Sequence, residues 1–429
     1  MFQFPSDLQP LRESREILAW AKRASAAKKA DPKVIDATIG VLKSKGEVLA
    51  LQSVQKAMQA VMAEKGSHEY PGIFGHFGAP ENQNALLHLA FGEENLAELT
   101  QTERHLDIAP AVGGTYALFL AFKLACPKTI LAGLPFWPNY DAIAEFAGRK
   151  IRNFPILEKI EQGYRLNSQA LQTEIENLVE QGEPVTLLLN DPCSNPAGLS
   201  LTEQDYSNII ATFKSLEARG ITTSIILDPA YAAYDKQGLA GSSKASLVRL
   251  LQELPNTIIH VAWSATKQYL EYNDRAGALF TWHPKGKALT DEQGNTFKSY
   301  MAGAIRGTLS QPPARTQKAL LNLATQGLLP HVDAQRAEYV SLLQARAEEA
   351  VHAAKLHKVP LVTLPNGEHP GGFMAYTPIA NAEALAEQLA LQGAWVVPMN
   401  NQGLRIAISG LEPEEIEPLY AQIGKLLNN

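Results

Sequence analysis

Three short apolar runs, Val185–Leu189, Ser224–Leu227 and Thr257–Val261, constrain the fold more than any other feature of the chain. Each is strand-length, mostly apolar, and followed directly by a loop. An uninterrupted apolar run is what a strand carries when both faces of its sheet are covered, as in a parallel sheet packed between helices. The intervening segments read as those helices. In Thr202 to Ala218, Thr202 is a good N-cap, Glu203 and Asp205 sit in the first turn, and Gly220 marks the end. Gly114 to Lys123 is a second helix start, behind a glycine pair. The rhythm predicts an α/β domain with a mostly parallel central sheet flanked by helices. The C-terminal part differs: helices over Thr316–Leu328 and Val332–Lys358, a strand over Gly371–Thr377, a helix over Ala382–Leu391, and strands Trp395–Pro398 and Leu404–Ser409. That pattern predicts a smaller α+β domain, with the boundary near Pro312–Pro313 or within the long helix after it.

Composition excludes several classes. The chain has 429 residues, 45% apolar and 19% charged, with a net charge of -6. Disorder needs few apolar residues and high net charge, and nucleic-acid binders usually carry a basic stripe, so neither is expected. Cys126 and Cys193 cannot build a disulfide framework. No apolar stretch has the length of a membrane span. The start of the chain carries Asp7, Glu13 and Glu16 and no apolar core segment, so no signal peptide is expected. The alanine- and lysine-rich stretch Ala24 to Ala30 reads as a solvated helix end. The expectation is a soluble, cytoplasmic, enzyme-sized protein of two or three domains, since about 150 residues per domain is ordinary.

In an open parallel sheet, ligands bind at the carboxyl ends of the strands. After the first run comes Asn190-Asp191-Pro192-Cys193-Ser194-Asn195-Pro196-Ala197-Gly198. After the second comes Asp228-Pro229-Ala230-Tyr231, and after the third Trp263-Ser264-Ala265-Thr266-Lys267, then Arg275-Ala276-Gly277. Taken singly, each is bland: Asn-Pro is usually a turn, lysine is usually solvated, and Ser264 and Thr266 could be helix caps. Cys193 reads as a buried structural thiol, with no activating cation beside it. Metal-ligand spacing, a G-x-S-x-G elbow and a P-loop are all missing. Together, however, an amide, a carboxylate with a phenol, and an amine at consecutive strand ends fit pyridoxal 5'-phosphate. That cofactor needs a lysine for its aldehyde, a carboxylate at its pyridine nitrogen, donors at the ring oxygen and a phosphate cup.

These motifs resemble the fold-type I pyridoxal-phosphate aminotransferases, specifically the aspartate/aromatic amino acid aminotransferase group (class I/II). The group carries Asn-Pro-Thr-Gly, Asp-x-Ala-Tyr and Ser-x-Ser-Lys, with an arginine and a glycine eight and ten residues beyond the lysine; here stand Asn195-Pro196-Ala197-Gly198, Asp228-Pro229-Ala230-Tyr231 and Ser264-Ala265-Thr266-Lys267 with Arg275 and Gly277. The resemblance implies that Lys267 holds the cofactor as a Schiff base and later shuttles a proton, that Asp228 keeps the pyridine nitrogen protonated, and that Tyr231 and Asn195 hydrogen-bond the ring oxygen. It implies a phosphate cup of Gly113, Gly114, Thr115, Ser264, Thr266 and Arg275, with Tyr70 reaching the phosphate of a neighbouring subunit. It places Trp137, in Pro135-Phe136-Trp137-Pro138-Asn139, on the cofactor ring. Gly40, in the segment Ile35 to Gly40, would lie over the substrate. Arg405, in Leu404 to Gly410, would grip the substrate α-carboxylate, and Arg306, ahead of Ser310-Gln311-Pro312-Pro313, would cross a dimer interface to bind a side-chain carboxylate.

The chain also departs from the group's pattern. Gly113 replaces a serine, Tyr116 a small residue, Gln311 an asparagine, and Asn190, Ser194 and Tyr140 stand where histidines are usual. These put substrate identity in question, not cofactor use. The expected function is transamination between an L-amino acid, dicarboxylic and possibly aromatic, and a 2-keto acid by a ping-pong mechanism. The alternatives are another fold-type I enzyme, a β-lyase or decarboxylase, since fold does not fix reaction, or a non-enzymatic cofactor-binding effector domain. The last is disfavoured because no helix-turn-helix extension precedes the fold. The resemblance further implies a homodimer with shared active sites, a large domain over 51–325, and a small domain assembled from 1–50 and 326–429. A large interface would also account for the low charge content.

Overall fold

The computed structural model describes residues 14–125, 128–286, 290–399 and 402–428. Cys126 and the acidic residues Asp7 and Glu13 lie outside them. The chain builds a seven-stranded sheet in the order Leu106–Ala111, Gly277–Trp282, Ile258–Ser264, Thr223–Asp228, Val185–Asn190, Thr129–Leu134, Lys150–Pro155. Gly277–Trp282 runs antiparallel to both neighbours; the remaining pairings are parallel. The three apolar runs are therefore adjacent strands of one sheet.

Their side chains alternate between two cores, as strand geometry requires. Leu187, Leu189, Ile225 and Leu227 enter one apolar cluster, while Leu188 and Ile226 enter another on the opposite face, against the helix Gly113–Leu124. Covering both faces leaves no solvated side, which is why these strands carry no polar alternation. The helix Glu203–Ala218 begins where its cap chemistry says it should. The Thr202 hydroxyl accepts from Asp205 N–H at 3.2 Å and the Asp205 carboxylate accepts from Thr202 N–H at 2.8 Å, a reciprocal capping box.

A third apolar cluster surrounds a three-stranded antiparallel sheet in the order Ala375–Thr377, Gly403–Ile406, Val397–Met399. The long helix Leu329–Leu356 and the C-terminal helix Pro413–Leu427 pack beside it. The early strand Ile35–Asp36 joins this region by pairing in parallel with Ala394–Trp395.

Boundaries in the C-terminal part differ from the sequence expectation. The first helix starts at Ala314, directly after Pro312-Pro313, and stops at Thr325. The long helix opens at Leu329, three residues early, because Pro330 suits a first helical turn. The strand expected over Gly371–Thr377 is only Ala375–Thr377. Gly371 and Gly372 have φ of 100° and 74°, conformations a strand cannot use. Trp395–Pro398 divides into Ala394–Trp395 and Val397–Met399, and Leu404–Ser409 shortens to Gly403–Ile406 before a 3₁₀ turn at Ile408–Gly410.

Candidate active site

The carboxyl ends of the parallel strands converge on a cavity of about 510 Å³. Lys267 opens onto it from the short helix Ala265–Gln268 that follows strand Ile258–Ser264. Its amine donates to the Gly40 carbonyl at 2.6 Å and lies 4.9 Å from the centre of the Tyr272 ring. Burial, aided by the charges of Arg405 and Arg275, pushes its pKa down from 10.5 to about 7. Near neutral pH a large share of this amine is therefore unprotonated, the form that attacks a carbonyl or removes a proton.

Asp228 ends its strand at the floor of the cavity and is 5% exposed. The Tyr140 hydroxyl donates to its Oδ2 at 2.6 Å. Burial raises the carboxyl pKa to about 6, and the bonds from Tyr140 and from the Ala230 backbone oppose that rise. On the neighbouring strand end, the Asn190 amide donates to the Asp228 carbonyl at 2.8 Å, and Asn190 Oδ1 accepts from Asn195 N–H at 2.7 Å. Asn195 is thus fixed beside Asp228, where it hydrogen-bonds Tyr231. Burial raises the Tyr231 phenol above its ordinary range, and the nearby Arg405 opposes the shift.

One end of the cavity is a cup. The helix Gly113–Leu124 points its N-terminus there, bringing Gly114 and Thr115 to the wall. Ser264 and Thr266 stand opposite, and Arg275 Nη1 donates to Thr266 Oγ1 at 3.1 Å. Gly113 lies just behind the wall, with φ of 71°; a Cβ there would meet Arg275 Nη2 at 2.8 Å. Backbone N–H groups at a helix start, two hydroxyls and a guanidinium together make an anion site.

At the other end, Arg405 projects from strand Gly403–Ile406 and is 3% exposed. Its Nη2 donates to the Thr38 carbonyl and its Nη1 stands 3.5 Å from Asn195 Oδ1. Its Nε is buried without a partner. Burial lowers its pKa to about 10, so it remains a cation. A buried guanidinium that lines a cavity and has no carboxylate partner among the described residues is matched to a carboxylate ligand. Trp137 and Gly40 complete the lining, Trp137 meeting Tyr140 edge to face at 5.5 Å.

Two expected residues stand apart from this cavity. Tyr70 is 87% exposed and borders a smaller hollow of about 200 Å³ with Arg315. Arg306 lies near the end of helix Asp291–Thr308, where its Nη1 donates to Ser310 Oγ at 2.9 Å. Several residues at or behind the cavity wall were not singled out in the sequence for this site. Tyr272, whose hydroxyl accepts from Leu42 N–H at 3.0 Å, sits on the loop between Lys267 and Arg275. Thr38 lies two residues before Gly40. Tyr140 carried a signal only as a departure from the group's pattern. Cys193 is buried, its thiol pKa pushed well up by desolvation and then by Asp235, consistent with an unreactive structural group.

The donor set fits pyridoxal phosphate. It offers a low-pKa amine, a buried carboxylate that no cation pairs among the described residues, an anion cup, and a buried guanidinium, all around one cavity.

A fold with this sheet and this cavity defines a fold-type I pyridoxal-phosphate enzyme. The chain belongs to a particular family of that class: the model for aminotransferase class I and II matches residues 32–423. This is a family of pyridoxal-phosphate-dependent transaminases. The chain is 30% identical over 292 residues to the aromatic-amino-acid aminotransferase of Pseudomonas aeruginosa and 28% identical over 288 residues to the aspartate aminotransferase of Salmonella typhi. Each match spans 66% of this chain and 66% of the relative. The crystal structure of an aminotransferase from Anaerococcus prevotii superposes with a TM-score of 0.86 at 21% identity, covering 100% of both chains, a likeness of fold. Among the described residues, no helix is long and apolar enough to cross a membrane.

Proposed function

We propose that this chain transfers an amino group between an L-amino acid, dicarboxylic such as aspartate or glutamate and also aromatic, and a 2-keto acid, with pyridoxal 5'-phosphate bound in the described cavity. The observation that carries the reading is the convergence of the Lys267 amine, the Asp228 carboxylate and the Arg405 guanidinium on that one cavity.

When bound, pyridoxal phosphate supplies an aldehyde that takes up amino groups and a cationic ring that withdraws electrons from the substrate α-carbon. Lys267 would hold that aldehyde through its amine, and as a free amine it would carry the α-proton as base and then as acid. Its pKa of about 7 suits both directions near neutral pH. Asp228 keeps the pyridine nitrogen protonated by placing a negative charge beside it in a desolvated site. Asn195 and Tyr231 hydrogen-bond the ring oxygen. Gly114, Thr115, Ser264, Thr266 and Arg275 hold the phosphate, and Gly113 gives Arg275 room. Trp137, which lines the cavity, would pack against the ring. Arg405 binds the substrate α-carboxylate, which orients the Cα–H bond for removal, and Gly40 borders the substrate position.

The same reading makes the enzyme a cytoplasmic homodimer. Tyr70 and Arg306, both outside their own chain's cavity, serve the partner's site, at the phosphate and at the substrate side chain. It divides the chain into a large cofactor-binding domain, 51–325, and a small domain of 1–50 with 326–429. The pairing of Ile35–Asp36 with Ala394–Trp395 supports the joining of the two ends.

The test is a half-reaction panel: purified holoenzyme is mixed with single amino acids and the visible absorption band of the cofactor imine is followed. Aspartate, glutamate and aromatic amino acids should bleach it, yielding the matching 2-keto acid. Release of ammonia or carbon dioxide instead would refute transamination.

A further inference from the structure

Tyr140 stands in the first turn of the helix Asn139–Ala147 and is 1% exposed. From there it makes two contacts that bear on the cavity. Its hydroxyl donates to Asp228 Oδ2 at 2.6 Å, across 88 residues of sequence. Its ring meets the Trp137 ring edge to face, with centroids 5.5 Å apart and planes at 83°. Phe122 and Phe136 pack against the same ring, at 6.5 and 5.9 Å, so the side chain has little freedom to turn.

We infer that Tyr140 is a positioning residue: its hydroxyl fixes the orientation of the Asp228 carboxylate while its ring edge braces Trp137, so one side chain sets two walls of the cofactor cavity. This rests on the proposed function, since it concerns how the chain's own residues meet the cofactor ring.

The Tyr140 phenol holds one carboxylate oxygen, Oδ2, beside the bond from the Ala230 backbone, and the carboxylate still lines the cavity. A phenol is a neutral donor that gains no positive charge at any accessible pH. A histidine, the residue usual at this position in the resembling group, could become a cation and share the carboxylate charge. With tyrosine, the full negative charge remains available to a pyridine nitrogen. Few other groups face Asp228. Tyr231 approaches from its own loop, with Asn195 and Arg405 beyond it, and Lys267, Arg275 and Arg405 line the same cavity. Among the described residues, Asp228 forms no ion pair with a lysine, arginine or histidine. Burial works against its ionised form, and the Tyr140 bond works for it.

The experiment compares the wild-type full-length chain with Y140F, which deletes the hydroxyl and keeps the ring. Affinity for pyridoxal phosphate is measured across the pH range, with kcat/KM measured beside it. Wild-type binding should weaken as pH falls through about 6, where Asp228 takes up a proton. In Y140F this acid limb should move up by about one pH unit, a roughly tenfold loss of affinity on the limb. In a D228N background the same substitution should shift no limb. A limb superimposable on wild type, or a uniform loss at every pH with a lowered melting temperature, would mean packing only and overturn the inference. Should Y140F fail to fold, Y140H replaces it. Its imidazole can gain a proton, so its limb should be displaced, and a wild-type limb would overturn the inference. A wild-type chain that binds no pyridoxal phosphate would defeat the proposed function instead.

Discussion

Replacing Arg405 by lysine separates shape from charge at the carboxylate end of the cavity. Arg405 is held by the Thr38 carbonyl through Nη2. Its Nε has no partner, and its Nη1 bond to Asn195 is long at 3.5 Å. The fork therefore retains donors for a substrate carboxylate. Lysine keeps the positive charge but offers a single ammonium on a shorter reach, so at least one of two parallel bonds is lost. A hydrogen bond to a charged group is worth ~1.5–3 kcal/mol, which corresponds to roughly a 10- to 150-fold fall in kcat/KM. The assay is stopped-flow half-reaction kinetics with a good amino donor, alongside a cofactor titration. The loss should appear with every α-amino acid, whatever its side chain, while cofactor affinity stays within about twofold, because cofactor contacts are made elsewhere. Unchanged kcat/KM, or a loss confined to one side-chain class, would refute the assignment of Arg405 to the α-carboxylate.

The lowered pKa of Lys267 sets a pH dependence for cofactor capture. A depressed lysine is neutral above its pKa and protonated below it, so the rate of pyridoxal phosphate capture by the cofactor-free chain should fall as pH drops through about 7; a midpoint near 10.5 would mean the amine is unperturbed. Gly113→Ala should weaken cofactor affinity about tenfold or more, since the new Cβ would press on Arg275 Nη2 and disturb a charged contact worth ~1.5–3 kcal/mol; an equilibrium titration equal to wild type would contradict this. Arg306→Ala should reduce kcat/KM for aspartate and glutamate at least ~10-fold more than for phenylalanine, the loss of one charge-assisted contact; equal losses would place Arg306 outside the side-chain pocket.

Much of the fold was legible because its central strands are covered on both faces. Val185–Asn190 and Thr223–Asp228 could afford no polar alternation, and their apolar runs ended where the site begins. The chemistry followed for the same reason: Asn195, Asp228, Ser264, Thr266 and Lys267 lie on or just past strand ends, so strand order alone brings them together. The small sheet was harder to bound. Its strands are short, and Gly371 and Gly372 interrupt a run that reads as extended. Tyr140 was the least accessible. Its partner lies 88 residues away, and nothing in Asn139–Ala147 distinguishes a phenol buried under a carboxylate from one packed in an ordinary core. Tyr70 and Arg306 were read from motif position alone, and their place outside the cavity of their own chain follows from no local pattern.

The central claim is that Lys267 is the residue that holds the cofactor. Borohydride reduction of the holoenzyme, followed by proteolysis and mass spectrometry of the peptides, tests it most directly. The account predicts one pyridoxyl-modified peptide, carrying the label on Lys267. A label on any other lysine, or a reduced protein with no covalent cofactor, would contradict it.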